Sequence, residues 1–139
     1  MINHIENLLY TGKTHTTGGR AGEAHSDDGR LNIQLSTPGS SGAGTNPEQL
    51  LAAGWSSCFI EAIGKAAVKL KIPRPTNVTV DAEVDLGMTG DAYLLQARLN
   101  VSIPGVDPEV ARSLVDTAHS TCPYSKATRG NIDVEINVV

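Results

Sequence analysis

The sequence predicts a single α+β domain over residues 1–139, built on antiparallel sheets. Three observations predict it. Apolar and polar side chains alternate around residues 31–36, 78–86, 95–103 and 132–138, the pattern of half-buried strands. Two stretches open with the same helix-start signature, Asn46-Pro47-Glu48 and Asp107-Pro108-Glu109. In each, a polar cap, a proline suited to the first turn and an acid at the positive end of the dipole come together. No internal repeat and no linker divides the chain. The resulting order is β-β-β-α-β-β-α-β, with strands and helices grouped as in α+β folds.

Element by element, residues 1–17 read as strand-like, with Leu8, Tyr10, several threonines and Gly12 as a bulge. Thr17-Gly18-Gly19-Arg20-Ala21-Gly22 is a glycine-rich turn or distorted strand holding one arginine. Asp27-Asp28-Gly29 signals a hairpin turn, and Leu31, Ile33 and Leu35 then alternate with polar residues. Residues 37–45, dominated by Gly, Ser and Thr, form a lid or connector. The first helix is expected from Pro47 to about Lys71, stopping before Pro73. Its first half is apolar nearly all round, which predicts burial; its second half, with Glu61, Lys65, Lys69 and Lys71, is expected to emerge into water. Two strands follow, joined by a turn at residues 87–91. A second helix carries the stripe Val110, Ala111, Leu114, Val115 and Ala118 and ends near Thr121. A short turn at residues 123–129 leads to a last strand with Ile132, Val134, Ile136 and Val138 on one face.

Composition narrows the function. Aromatics are only 4% of the residues, so Val, Ile, Leu and Ala must build the core. The net charge of −4, without runs of like charge, argues against a nucleic-acid or membrane surface. No signal peptide and no apolar run of about 18 residues is seen, so a cytoplasmic protein is expected. There a disulfide would be transient and redox-active. The four histidines and two cysteines lack metal-ligand spacing, so no metal and no cofactor is expected.

The chemistry therefore rests on Cys58, inside the most apolar helical stretch, and Cys122, at a helix end before Pro123. If the fold brings them together, they form a peroxidatic and resolving pair. A lone buried cysteine is most often just a small hydrophobe, and Cys122 could simply close a helix. A free thiol titrates near ~8.5, and burial raises that further. Lowering it by two units takes roughly 2.7 kcal/mol of preferential anion stabilisation. A guanidinium in a dry pocket supplies that; an exposed lysine does not. Arg20, flanked by glycines, is the candidate, with Glu48 as its carboxylate partner. On one straight helix Glu48 and Cys58 stand roughly 15 Å apart along the axis and about 80° apart in azimuth. Either Arg20 spans part of that gap, the helix is irregular, or Glu48 comes from a second subunit. Leu51, Trp55 and Phe59 are the candidate apolar walls for a substrate tail.

These motifs resemble the organic hydroperoxide resistance (Ohr) branch of the Ohr/OsmC superfamily. The matching stretches are Gly18-Gly19-Arg20-Ala21-Gly22, the run from Thr45 through Cys58 to Phe59, and the run from Cys122 to Asn131. Trp55, Ser56 and Ser57 depart from the Tyr and Ala expected at those positions. The resemblance implies an OsmC-like fold: an intertwined homodimer whose sheets wrap two long central helices. It implies Cys58 as peroxidatic and Cys122 as resolving cysteine, Arg20 as the thiolate activator and Glu48 as the carboxylate orienting it. It also implies an organic hydroperoxide substrate and a dithiol reductant of the dihydrolipoyl type. Two other classes remain beside the peroxidase: a passive binder of apolar ligands, and a redox sensor whose disulfide alters a partner interface.

Overall fold

In the computed structural model, which describes residues 2–139, the chain forms two compact units, residues 1–47 and 48–139. The first unit is an antiparallel meander of β1 (Thr14–Thr17), β2 (Glu23–Ser26) and β3 (Asn32–Gln34). The pairs Thr14 with Ser26 and Ala24 with Ile33 set its register. Between β1 and β2 lies a 3-10 turn, Gly19–Ala21, that presents Arg20. Gly18 has φ of 74°, and a Cβ on Gly22 would run into the Thr17 carbonyl. Only glycine fits this crossing of the backbone. The expected Asp27-Asp28-Gly29 turn joins β2 to β3. Asp28 Oδ1 accepts from the Ser26 hydroxyl at 2.6 Å and the Arg30 amide at 3.0 Å, and these bonds hold its carboxyl below the usual carboxylate range. The glycine-rich loop after β3 is closed at its base by a bridge between Leu35 and Thr45.

The strand-like reading of residues 1–17 holds only for Thr14–Thr17; residue 1 lies outside the described residues. Residues 2–13 pair with no strand among the described residues, and Leu9 and Tyr10 remain 89% and 80% exposed. Composition marks what fits a sheet, whereas a strand exists only where another backbone completes its hydrogen bonds.

The second unit begins with α1 (Pro47–Lys69). Its end is a Schellman motif: the Ile72 amide donates to the Ala67 carbonyl at 3.0 Å and the Lys71 amide to Val68 at 3.1 Å. Lys71 takes φ of 58° there, in the left-handed region that glycine occupies most readily, and Pro73 prevents continuation. The long hairpin of β4 (Thr79–Thr89) and β5 (Ala92–Ser102) turns on Gly90-Asp91. β6 (Asp133–Val138) lies parallel to β5, Gln96 facing Asp133 and Val101 facing Val138. The expectation of antiparallel sheets thus fails at this one pairing. The crossover that a parallel pair requires is supplied by α2 (Pro108–Thr121) and α3 (Pro123–Thr128). α3 replaces the turn expected at residues 123–129.

One apolar cluster holds this unit together. Ala97, Leu99, Val101 and Ile103 come from β5 and its end, Ala111, Leu114, Val115 and Ala118 from α2, and Trp55, Phe59 and Ile63 from α1. Burial along α1 runs opposite to expectation. Trp55 through Ala67 carry its buried residues, while Leu50, Ala53 and their neighbours are exposed or half-buried. The sheet and α2 cover α1 only from Trp55 onward. Glu61, Lys65 and Lys69 alternate with buried alanines and point outward. On the sheet's other face Arg98 grips Asp85 with two bonds of 2.9 and 3.0 Å, keeping that carboxyl below its usual range. Among the described residues no helix is long and apolar enough to cross a membrane.

Candidate active site

The structure brings the two cysteines together. Sγ of Cys122 lies 3.4 Å from Sγ of Cys58, and both are free thiols. Cys58 rides on α1 and is half-buried; Cys122 is wholly buried at the joint between α2 and α3. That joint is tightly built. Cys122 ends one helix, its amide donating to the Ala118 carbonyl at 2.8 Å, and starts the next, its carbonyl accepting from the Lys126 amide at 2.9 Å. Pro123 occupies the first position of α3, where its missing N–H costs nothing.

Two further contacts dock α3 against the same strip of α1. The buried Trp55 indole N–H donates to the Ser125 hydroxyl at 3.2 Å. The Tyr124 hydroxyl packs over Gly54, where a Cβ would sit only 3.0 Å from it. Gly54, Trp55 and Cys58 therefore each meet one residue of the segment 122–125. Tyr124 and Ser125 lie in the run from Cys122 to Asn131 that carries the family resemblance, but their contacts with α1, about 70 positions away, are not legible from local sequence.

Burial pushes the Cys58 thiol above its ordinary value, and the neighbouring Cys122 adds to the rise. The Tyr124 amide and the charge of Lys65 act in the opposite direction but do not reverse it. The net direction is upward, so the resting thiol is protonated at neutral pH. Beside the sulfur opens a groove of about 430 Å³, lined along α1 by Cys58, Glu61, Ala62, Lys65, Ala66 and Lys69, with Thr117, Thr121 and Pro123 opposite. His119, near the end of α2, has a buried Nδ1 without a hydrogen-bond partner among the described residues. Burial and the Arg129 charge lower its pKa, so the imidazole is neutral at neutral pH.

The remaining expected site residues are carried by both units. Arg20 is exposed on the 3-10 turn of the first unit. Glu48 is half-buried in the first turn of α1, which is helical throughout from Pro47 to Lys69. The option of an irregular helix between Glu48 and Cys58 is therefore closed. Leu51 is half-buried, two turns before Cys58. Trp55 and Phe59, expected as walls for a substrate tail, have no exposed surface: they belong to the core, and neither lines the groove. An apolar residue within a helix is equally suited to either place, and here α3 and the sheet take both side chains. Among the described residues, no cluster of three or more His, Cys, Asp or Glu side chains is placed to hold a metal ion.

The profile of the family described as OsmC-like protein matches residues 38–137. An organic hydroperoxide resistance protein of Xanthomonas axonopodis pv. citri is 44% identical over 137 residues, covering 96% of each chain. The organic hydroperoxide resistance protein OhrB of Bacillus subtilis is 38% identical, and its crystal structure superposes with a TM-score of 0.89 over 95% of this chain and 100% of that one. A crystal structure from Vibrio cholerae, titled as a putative organic hydroperoxide resistance protein with captopril bound in one of its active sites, gives a TM-score of 0.91 at 38% identity, covering 99% of this chain and 96% of that one. The chain belongs to the OsmC-like family, within its organic hydroperoxide resistance branch.

Proposed function

We propose that the protein is a thiol-dependent peroxidase that reduces organic hydroperoxides to alcohols. The observation that carries this reading is the 3.4 Å approach of two free thiols 64 positions apart, one half-exposed on a groove and one buried behind it. The Cys58 thiolate attacks the terminal peroxide oxygen. An S–O bond forms, the O–O bond breaks, and the departing alkoxide takes up a proton to become the alcohol. Cys58 is left as a sulfenic acid. The Cys122 sulfur then attacks it, an S–S bond forms, and the hydroxyl leaves with a proton as water. Contraction to a disulfide of about 2.05 Å takes little more than a side-chain rotation from 3.4 Å. An external dithiol, of the dihydrolipoyl type in this reading, returns both thiols.

Arg20 is the activating cation, stabilising the thiolate and the developing alkoxide, and Glu48 orients it. The raised pKa of the resting Cys58 thiol supports a role for a cation in its activation. Leu51 contributes to the surface for the hydrocarbon part. The exposed N-terminal side chains, Ile2 to Tyr10, and Leu50 on α1 support a homodimer that covers them. The two units then work as one domain over residues 1–139, in the reducing cytoplasm where a transient disulfide is informative.

Treatment of the reduced protein with tert-butyl hydroperoxide tests the reading. Two thiols per chain should disappear rapidly, with a Cys58–Cys122 disulfide found by mass spectrometry. A passive apolar-ligand binder would keep both, and that outcome rejects the peroxidase. Cys58→Ser should abolish turnover. Cys122→Ser should consume one equivalent of peroxide and stall as the sulfenic acid. Arg20→Ala should raise the Cys58 pKa further and slow attack; an unchanged thiol titration removes Arg20 from the mechanism.

A further inference from the structure

Packing alone holds α3 weakly. The helix spans six residues, too few to be stable in isolation, and within the chain Pro123, Tyr124, Lys126 and Ala127 are exposed. Its one wholly buried residue is Ser125, which is also the only buried polar residue among the described residues. A buried hydroxyl disfavours folding unless it is hydrogen-bonded. Here the bond comes from the indole N–H of Trp55 at 3.2 Å, and Trp55 likewise has no exposed surface. Removing either partner strands the other in the core. The bond also stands in register with the thiol pair. Trp55 precedes Cys58 by three residues on α1, and Ser125 follows Cys122 by three, so the two contacts are matched in antiparallel order. They lie roughly 4.5 Å apart along α1. Apolar contacts have no direction and tolerate sliding, whereas a hydrogen bond weakens steeply with length and angle. Any slide or roll of α3 on α1 that parts the sulfurs must first break the Trp55–Ser125 bond.

We propose that Trp55 and Ser125 are positioning residues for disulfide closure: their hydrogen bond holds α3 so that Cys122 stays within reach of Cys58, and this protects Cys58 from over-oxidation. The proposal rests on the peroxidase reading for the sulfenic acid and on the geometry alone for the thiol pair. The sulfenic acid has two fates. In the first, the Cys122 sulfur attacks it, an S–S bond forms, the S–O bond breaks and water leaves. In the second, another hydroperoxide gives it an oxygen; the O–O bond breaks, the alcohol leaves and Cys58 becomes a sulfinic acid, which thiols do not restore. The first step is intramolecular, so its rate follows the fraction of time the two sulfurs are in contact. The net worth of one hydrogen bond sets that fraction, and its loss should lower contact by about three- to tenfold.

The first test needs no peroxide. The full-length protein is equilibrated with mixtures of reduced and oxidised dithiothreitol, and the Cys58–Cys122 disulfide is counted by mass spectrometry. The protein dithiol is oxidised as the dithiothreitol disulfide is reduced, one electron pair for one. Ser125→Ala, Trp55→Phe and the double variant should each lower the exchange constant by about three- to tenfold, and by the same factor, because each removes the same bond. A bond that only holds the fold together favours the dithiol and disulfide forms alike and cancels in this constant. Trp55→Phe keeps an apolar ring in the core and carries the test if Ser125→Ala, with its indole left unpaired, does not fold. Unchanged constants, or losses that add in the double variant, overturn the proposal. The second test gives the reduced protein excess tert-butyl hydroperoxide and measures the share of Cys58 recovered as sulfinic acid. That share should rise about three- to tenfold in the variants; an unchanged share in protein that turns over overturns the protective role. Should no hydroperoxide be consumed while the exchange constants fall as expected, the peroxidase reading falls and the positioning pair stands.

Discussion

The two three-stranded sheets are ordered by different forces. β1–β3 is short, and among the described residues of its unit only Ala24 and Leu35 are buried hydrophobics. Its shape comes from backbone constraints: the glycine crossing at Gly18 and Gly22, the Asp28 turn and the Leu35–Thr45 bridge. β4–β6 is long and sits on a continuous apolar cluster that includes Cys122, with Cys58 packed against it. The comparison teaches that the thiol pair is placed by the unit that carries its own core. Arg20, by contrast, is presented by a turn whose geometry depends on glycines.

Breaking the core should have the largest effect. Leu99→Ala, at a position with no exposed surface, should cost about 3 kcal/mol of unfolding free energy, whereas Ile33→Ala in the half-buried β3 should cost less than about 1. Urea unfolding of both variants checks this, and equal losses would erase the distinction. Gly22→Ala places a Cβ against the Thr17 carbonyl and should cost more than about 1 kcal/mol locally. Faster amide exchange in β1 and β2, with β4–β6 unchanged, is the expected signature. Lys71→Gly relieves a left-handed residue at the end of α1 and should stabilise the second unit by roughly 0.5–1 kcal/mol; no gain would mean the Schellman end carries no strain.

The smallest expected effect concerns pH. Burial lowers the pKa of His119, with Arg129 opposing and Asp116 favouring the charged form. Its folded pKa lies below the unfolded value of about 6.5, so the unfolded chain binds the proton more readily. The neutral imidazole's contribution is complete above that value and is lost as pH falls through the folded pKa. Denaturant midpoints should therefore drop between pH 7 and pH 5, and His119→Gln should flatten that slope. Asp28 and Asp85, both held low, lose their contributions only in more acidic solution.

Local signals were the legible ones. The Asn46-Pro47-Glu48 and Asp107-Pro108-Glu109 starts open α1 and α2, the Asp27-Asp28-Gly29 turn closes β2 onto β3, and the alternation at residues 78–86 and 95–103 becomes the long hairpin. Pairing direction was not legible, because a period of two is the same in a parallel and an antiparallel ladder, so β6 came as a correction. The burial of α1 within one chain differs from expectation because hydrophobicity states what can be covered, while the position of the sheet and α2 decides what this chain covers by itself. At the site, Cys58 and Cys122 stood out as the only two thiols. The Trp55–Ser125 bond did not, since nothing in a lone serine announces a partner on a distant helix.

The double duty of Cys122 as the last residue of one helix and the first cap of the next has a mechanical consequence. With its amide and its carbonyl both engaged, its backbone has no slack to follow the sulfur. The gap is then closed by side-chain torsions of the two cysteines, and the joint itself stays still. Such a latch can snap shut and reopen through many cycles without fatigue to the scaffold, and the oxidised and reduced forms should offer other molecules nearly the same face.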